Sequence, residues 1–202
     1  MSTWLARMVQ NGRYQLQSGT VLRRMEGQTL GLVGLGNIGR RVATKAQGLG
    51  LKVIAYSRSR RNPLPGVPYV ELDELLATSD YVSLHLPATA QSRHMMNAAA
   101  FAKMKPTAFL INTARGALID QPALARALDA GQLAGAALDV QDPEPPNLSE
   151  PPFNDPRVLV SPHAAFVSVE SLENLRSRVA RQVVARLSGG VPENVVNPQV
   201  LG

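Results

Sequence analysis

The chain has 202 residues, 45% hydrophobic and 18% charged, a balance that fits one well-buried domain with a small appendage and contains no run long enough to span a bilayer. It has no cysteine and only three histidines, which excludes a disulfide framework and a thiolate nucleophile and leaves no ligand cluster for a catalytic metal. The net charge of +6 comes without the aromatic-basic platform of a nucleic-acid binder, and residues 1–15 lack the apolar core of a secretory signal, so a soluble cytoplasmic protein is expected.

Trp4, Leu5 and Met8 have helical spacing, so residues 1–26 read as a docking helix and a connector. From Thr29 onward, short apolar runs alternate with helical patterns. "TLGLVG", "LKVIAY", "YVSLHL", "TAFLIN", "GAALDV" and "RVLVSP" read as six strands, mostly separated by helices. The fold class is therefore α/β: a doubly wound, mostly parallel, Rossmann-type sheet over residues 27–166, with helices on both faces and appended terminal helices. Asp120 is an N-cap, Pro122 fits the first turn after it, and Gly131 stops the helix. A last helix is predicted from Val169 to Leu187 on the stripe Leu172, Leu175, Val179, Val183 and Leu187, with an extended tail completing the segment 167–202. The proline-rich stretch 141–156 reads as a loop over a site.

Gly34, Gly36 and Gly39 form a G-x-G-x-x-G between a predicted strand and a predicted helix, the context that turns a weak motif into a dinucleotide site. Gly34 allows the tight turn, Gly36 lets the backbone approach a pyrophosphate, and Gly39 lets helix and strand pack closely. Amides near Asn37 and Ile38 would then face the phosphates from a helix N-terminus. A ribose-binding acid is expected about where Ser57 stands. An aspartate would repel a 2′-phosphate, whereas Ser57 with Arg58 and Arg60 can hold one, so the sequence favours NADP over NAD. The alternative is a solvated basic turn, residues 58–61, with NAD bound through backbone and hydroxyl contacts.

Arg115, Glu144 and His163 each follow a predicted strand, which gathers them at the carboxyl edge of the sheet. A guanidinium can clamp a carboxylate, an imidazole can shuttle a proton, and a carboxylate beside it favours the protonated ring. Together they suit reduction of a 2-oxo acid, although each alone has a structural explanation.

The segments "GLVGLGNIGR", "DYVSLHLPAT", "MKPTAFLINTARGALID", "AGAALDVQDPEP" and "VSPHAAF" stand in the order and at the spacings of a known family. From Gly27 to about Leu201 the chain resembles the D-isomer-specific 2-hydroxyacid dehydrogenases, whose relatives include formate dehydrogenases and C-terminal-binding-protein corepressors. The resemblance implies that Arg115 binds the substrate carboxylate and carbonyl, that His163 donates the proton and that Glu144 is its partner. It places Asp139 and Thr113 in the cofactor site and His85 and Pro87 along the cofactor cleft. It also implies a substrate domain whose first part precedes the segment equivalent to residues 1–26 and to which residues 167–202 would return, and a homodimer paired through cofactor domains. The expected function is hydride transfer between NADP or NAD and a small 2-oxo or 2-hydroxy acid of the glyoxylate or hydroxypyruvate type. The alternatives are a cofactor-sensing interaction module like the corepressors, or a cofactor-binding fragment inactive alone.

Overall fold

The computed structural model describes residue 12, residues 23–60 and residues 63–201. The docking helix read from Trp4, Leu5 and Met8, most of the connector, and Arg61 lie outside the described residues.

All six predicted strands form: β1 (Thr29–Val33), β2 (Lys52–Tyr56), β3 (Tyr81–Leu84), β4 (Phe109–Asn112), β5 (Gly135–Leu138) and β6 (Val158–Val160). They make one sheet in the order β2-β1-β3-β4-β5-β6, and every pairing is parallel. Beyond β2, Tyr69 makes a single parallel bridge to Ala55, a one-residue remnant of a further strand that is too short to show any alternation in sequence. The chain leaves β1 for β2 on one side and returns to β3 on the other, which places the topological switch point at the carboxyl ends of β1 and β3.

Both faces carry apolar layers, as a parallel sheet demands. On one, Val33, Val82, Leu84, Leu110 and Leu138 pack with Leu75, Leu76, Phe101, Leu124 and Leu128 from the crossovers. Those crossovers supply α2 (Leu72–Thr78), α3 (Ala98–Phe101) and α4 (Gln121–Asp129). On the other face, Leu30, Leu32, Val53 and Ala55 pack with Ala43 and Ala46 of α1 (Asn37–Gly48). This second layer thins toward β6, where Phe109 and Leu159 stay over two-fifths exposed.

Local signals set the helix ends. Asp120 Oδ1 accepts from the Ala123 amide at 2.9 Å, and Gly131 takes φ +66° just past the end of α4. The last helix, α5, spans Val169–Leu187 and opens on a capping box between Ser168 and Ser171. Its apolar stripe forms as expected, yet no residue of α5 is buried among the described residues. No described helix is long and apolar enough to cross a membrane.

Leu110 lies fully buried on a central strand against α4, so its truncation leaves a cavity that rigid neighbours fill poorly. Leu110→Ala is expected to lower unfolding free energy by about 2–5 kcal/mol, read as a lower urea midpoint at unchanged m-value.

Candidate functional site

The glycine turn begins where β1 ends. Gly34 has φ +104°, and a Cβ built on it would lie 2.4 Å from the His85 carbonyl oxygen, so only glycine lets β1 and β3 converge there. A Cβ on Gly39 would lie 2.3 Å from the Gly34 oxygen, so the third glycine lets α1 seat on the turn. Gly36 differs: a Cβ there meets no atom of the described residues within 4 Å, its chain neighbours aside. Its face opens outward, at the N-terminus of a helix with no acidic residue in its first turn and no side-chain cap. That combination fits a pyrophosphate, for which open backbone and an uncapped helix dipole are the requirements. Asn37 opens α1, and the Ile38 side chain is exposed beside it.

The Gly34 amide donates to the Tyr56 carbonyl at 2.8 Å, which sets Ser57 beside the turn. Ser57 is half-buried, and Arg58 is exposed with no ion pair among the described residues. Arg60, at φ +42°, pairs through its guanidinium with the exposed Glu71 at the start of α2. His85, at the end of β3, shares a hydrogen bond of 2.9 Å between its Nε2 and the Ser83 hydroxyl, and burial pushes its imidazole below the ordinary value. Pro87 is exposed, and its carbonyl accepts from the buried Ser92 hydroxyl at 2.8 Å, which ties the adjoining loop.

Arg115, Glu144 and His163 come together. They line one open cleft of about 230 Å³ with Ala88, Gly116 and Val140. His163 Nδ1 lies 2.9 Å from Glu144 Oε2. The backbone amide of Gln141 donates to Glu144 Oε1 at 2.9 Å; that bond, then the one from His163, holds the Glu144 carboxyl below its usual range, so it is ionised at neutral pH. His163 itself has φ +51°, a left-handed conformation uncommon outside glycine, and its ring meets Phe166 edge-on at 6.1 Å. Arg115 and Thr113 are both exposed at the cleft end of β4.

Asp139 is nearly buried and holds the His163 loop. Its carboxylate accepts from the Ser161 hydroxyl at 2.5 Å and from the Ala164 and Ala165 amides at 2.9 Å each, while its carbonyl accepts from the His163 amide at 2.8 Å. Burial alone would raise this carboxyl; the hydrogen bonds from Ser161, Ala165 and Ala164, with His163 nearby, outweigh it and hold it below the ordinary value.

Sequence reasoning missed Asn112, Gly116 and Ser161. Asn112 is fully buried, donating to the Arg115 carbonyl at 2.9 Å and accepting from the Ala114 amide at 3.0 Å, so it shapes the turn that presents Arg115. A Cβ on Gly116 would fall 2.0 Å from the Gln141 carbonyl, so this glycine lets the Arg115 loop press against the loop of Glu144. The available signals were a polar residue closing the apolar run "FLIN" and a glycine immediately after Arg115.

Residues 2–165 match the family described as D-isomer specific 2-hydroxyacid dehydrogenase, NAD binding domain. A glyoxylate reductase from Korarchaeum cryptofilum is 42% identical over 178 residues, 87% of this chain and 54% of that protein. The crystal structure of a glyoxylate reductase from Paecilomyes thermophila superposes with a TM-score of 0.86 at 36% identity, covering 98% of this chain and 60% of that one. The NAD-complexed D-isomer specific 2-hydroxyacid dehydrogenase from Lactobacillus delbrueckii ssp. bulgaricus gives 0.87 at 32% identity, covering 98% and 64%. The chain thus spans about half the length of the curated relatives it matches.

Because the Asp139 carboxyl is lowered on folding, its contribution to stability is fully present above the unfolded value of 3.8 and is lost as pH falls through the folded one. Asp139→Asn is expected to be about 1–3 kcal/mol less stable than the parent at pH 7. That gap should narrow below about pH 4, in denaturant titrations run at stepped pH. A gap constant from pH 7 to pH 3 would contradict the assignment.

Proposed function

The chain belongs to the D-isomer specific 2-hydroxyacid dehydrogenase family, and from that premise we propose that it carries the cofactor half and the proton-transfer apparatus of a reductase of small 2-oxo acids, glyoxylate and hydroxypyruvate among them. The observation that carries the proposal is the single cleft shared by Arg115, Glu144 and His163, with His163 hydrogen-bonded to Glu144 at 2.9 Å. The identity to glyoxylate reductases supports the substrate class.

When bound, a nicotinamide cofactor supplies the hydride. The chain's own residues do the rest. Gly34, Gly36 and Gly39 shape the pyrophosphate seat, with the amides of Asn37 and Ile38 at the helix end. Thr113, Asp139, His85 and Pro87 border the rest of the cofactor cleft. Arg115 holds the substrate carboxylate in a charge-assisted pair and offsets negative charge developing on the carbonyl oxygen. The ionised Glu144 accepts from Nδ1 and fixes the ring, which leaves Nε2 to deliver a proton to that oxygen.

Preference for NADPH rests on Ser57 and Arg58, where an acid is absent and a cation stands without an ion pair among the described residues. Arg60, taken up by Glu71, is secondary in this role. Assembly as a homodimer is also part of the proposal, supported by the exposed apolar residues Leu175, Val179, Val183 and Leu187 of α5.

Three outcomes test this. NADPH and NADH titrations should both show binding, and reduction of glyoxylate or hydroxypyruvate should fall by about 10²–10⁴-fold in His163→Ala with cofactor affinity unchanged. Cofactor binding with no turnover, on this chain and on a form extended at its N-terminus, would sink the reductase reading and leave a nucleotide-sensing module. The pair Ser57→Asp with Arg58→Ala should weaken NADPH more than NADH; equal losses return the arginines to a solvated turn. Glu144→Gln removes the ionised acceptor that orients the ring, so reduction should fall by about tenfold or more at unchanged cofactor affinity, and an unchanged rate would remove Glu144 from this role.

A further inference from the structure

We infer that Gln141 is a positioning residue that joins the three loops presenting Arg115, Glu144 and His163; the inference rests on the site reading above and concerns how that site is held. Gln141 is 6% exposed, three residues past the end of β5. Its side-chain Nε2, main-chain amide and main-chain carbonyl reach different parts of the cleft rim.

The side-chain amide Nε2 donates to the Leu138 carbonyl at 3.2 Å and to the Ser161 carbonyl at 3.3 Å, linking the ends of β5 and β6. The Ser161 carbonyl also accepts from the His163 amide at 3.0 Å, so the glutamine sits one bond from the histidine backbone. The main-chain amide of Gln141 holds Glu144 Oε1, which leaves Oε2 for the imidazole. Its carbonyl faces Gly116, where no Cβ fits, and the residue before that glycine is Arg115.

The two side-chain bonds are long, and both acceptors have a second donor: the Leu138 carbonyl accepts from the Ser161 amide at 3.0 Å. Removing Nε2 therefore strands no buried group, and its effect falls on geometry more than on stability. A sub-ångström drift of the β6 end would be felt directly in the His163–Glu144 contact, because that bond needs its 2.9 Å separation and alignment.

The test compares the full chain with Gln141→Met, of similar length but without a donor, by nitrogen-15 NMR of the imidazoles at neutral pH. In the parent, the His163 ring nitrogens should give the signal of a ring protonated at Nδ1, with that proton directed at Glu144. In the variant that signal should be lost, the two ring nitrogens shifting toward the averaged pattern of a free histidine, at nearly unchanged melting temperature. A preserved Nδ1 signal in the folded variant overturns the positioning role, as does a fall in melting temperature with the signal intact. A parent chain without that proton overturns the Glu144–His163 pairing itself and this inference with it, so the two failures are distinguishable. Should the variant not fold, hydrogen exchange of the Gln141 side-chain amide in the parent decides: protection of about tenfold or more over an exposed glutamine is expected, and none would overturn the role.

Discussion

The rest of the structure depends on one register. Val33 pairs with both Tyr56 and Leu84, Leu84 with Asn112, Asn112 with Leu138, and Leu138 with Val160, so the last residues of six parallel strands form one row across the sheet. Parallel strands all run the same way and need crossovers to return. The next residue of each strand, Gly34, Ser57, His85, Thr113, Asp139 or Ser161, therefore emerges on one edge. Distances along the chain of over a hundred residues collapse into a few strand spacings of about 4.8 Å each. The hydrophobic layers on either face hold that row in place, and the candidate site is lined by residues beyond it.

The polar interior is concentrated at the same edge. Of the six polar residues buried among those described, Ser79 is the one away from it; Ser83, Ser92, Asn112, Asp139 and Gln141 all hydrogen-bond to the strand ends or to the loops that leave them. Burying these groups is tolerable only because their partners are in place. The result is a rim where loops are fixed by side-chain hydrogen bonds, whereas the body of the sheet is fixed by its backbone ladder and by apolar packing. The apolar core tolerates substitution by similar volumes more readily than this rim tolerates loss of a donor.

What the sequence revealed and what it concealed divide along the range of the interaction. Six strands, the cap at Asp120 and the span of α5 were legible because each is set by residues within a few positions of one another. Gly34 and Gly39 were legible because a spaced glycine motif carries its own geometry. The roles of Asn112, Ser161 and Gln141 were not, since a buried amide or hydroxyl acquires its partner only when distant strands align. Arg60 was read as a ligand group, but Glu71 lies eleven residues on, and nothing local shows that the turn returns toward α2. The strand remnant at Tyr69 was invisible for the opposite reason: one bridge has no period.

His163 carries a left-handed backbone, and the amides of His163, Ala164 and Ala165, donating to the Asp139 carbonyl and carboxylate, hold the loop in that form. Glycine or asparagine would sit there with less strain. If His163 donates the proton as proposed, a lineage released from that role would be free to relax this backbone with glycine, which makes position 163 a record of whether the proposed chemistry persists.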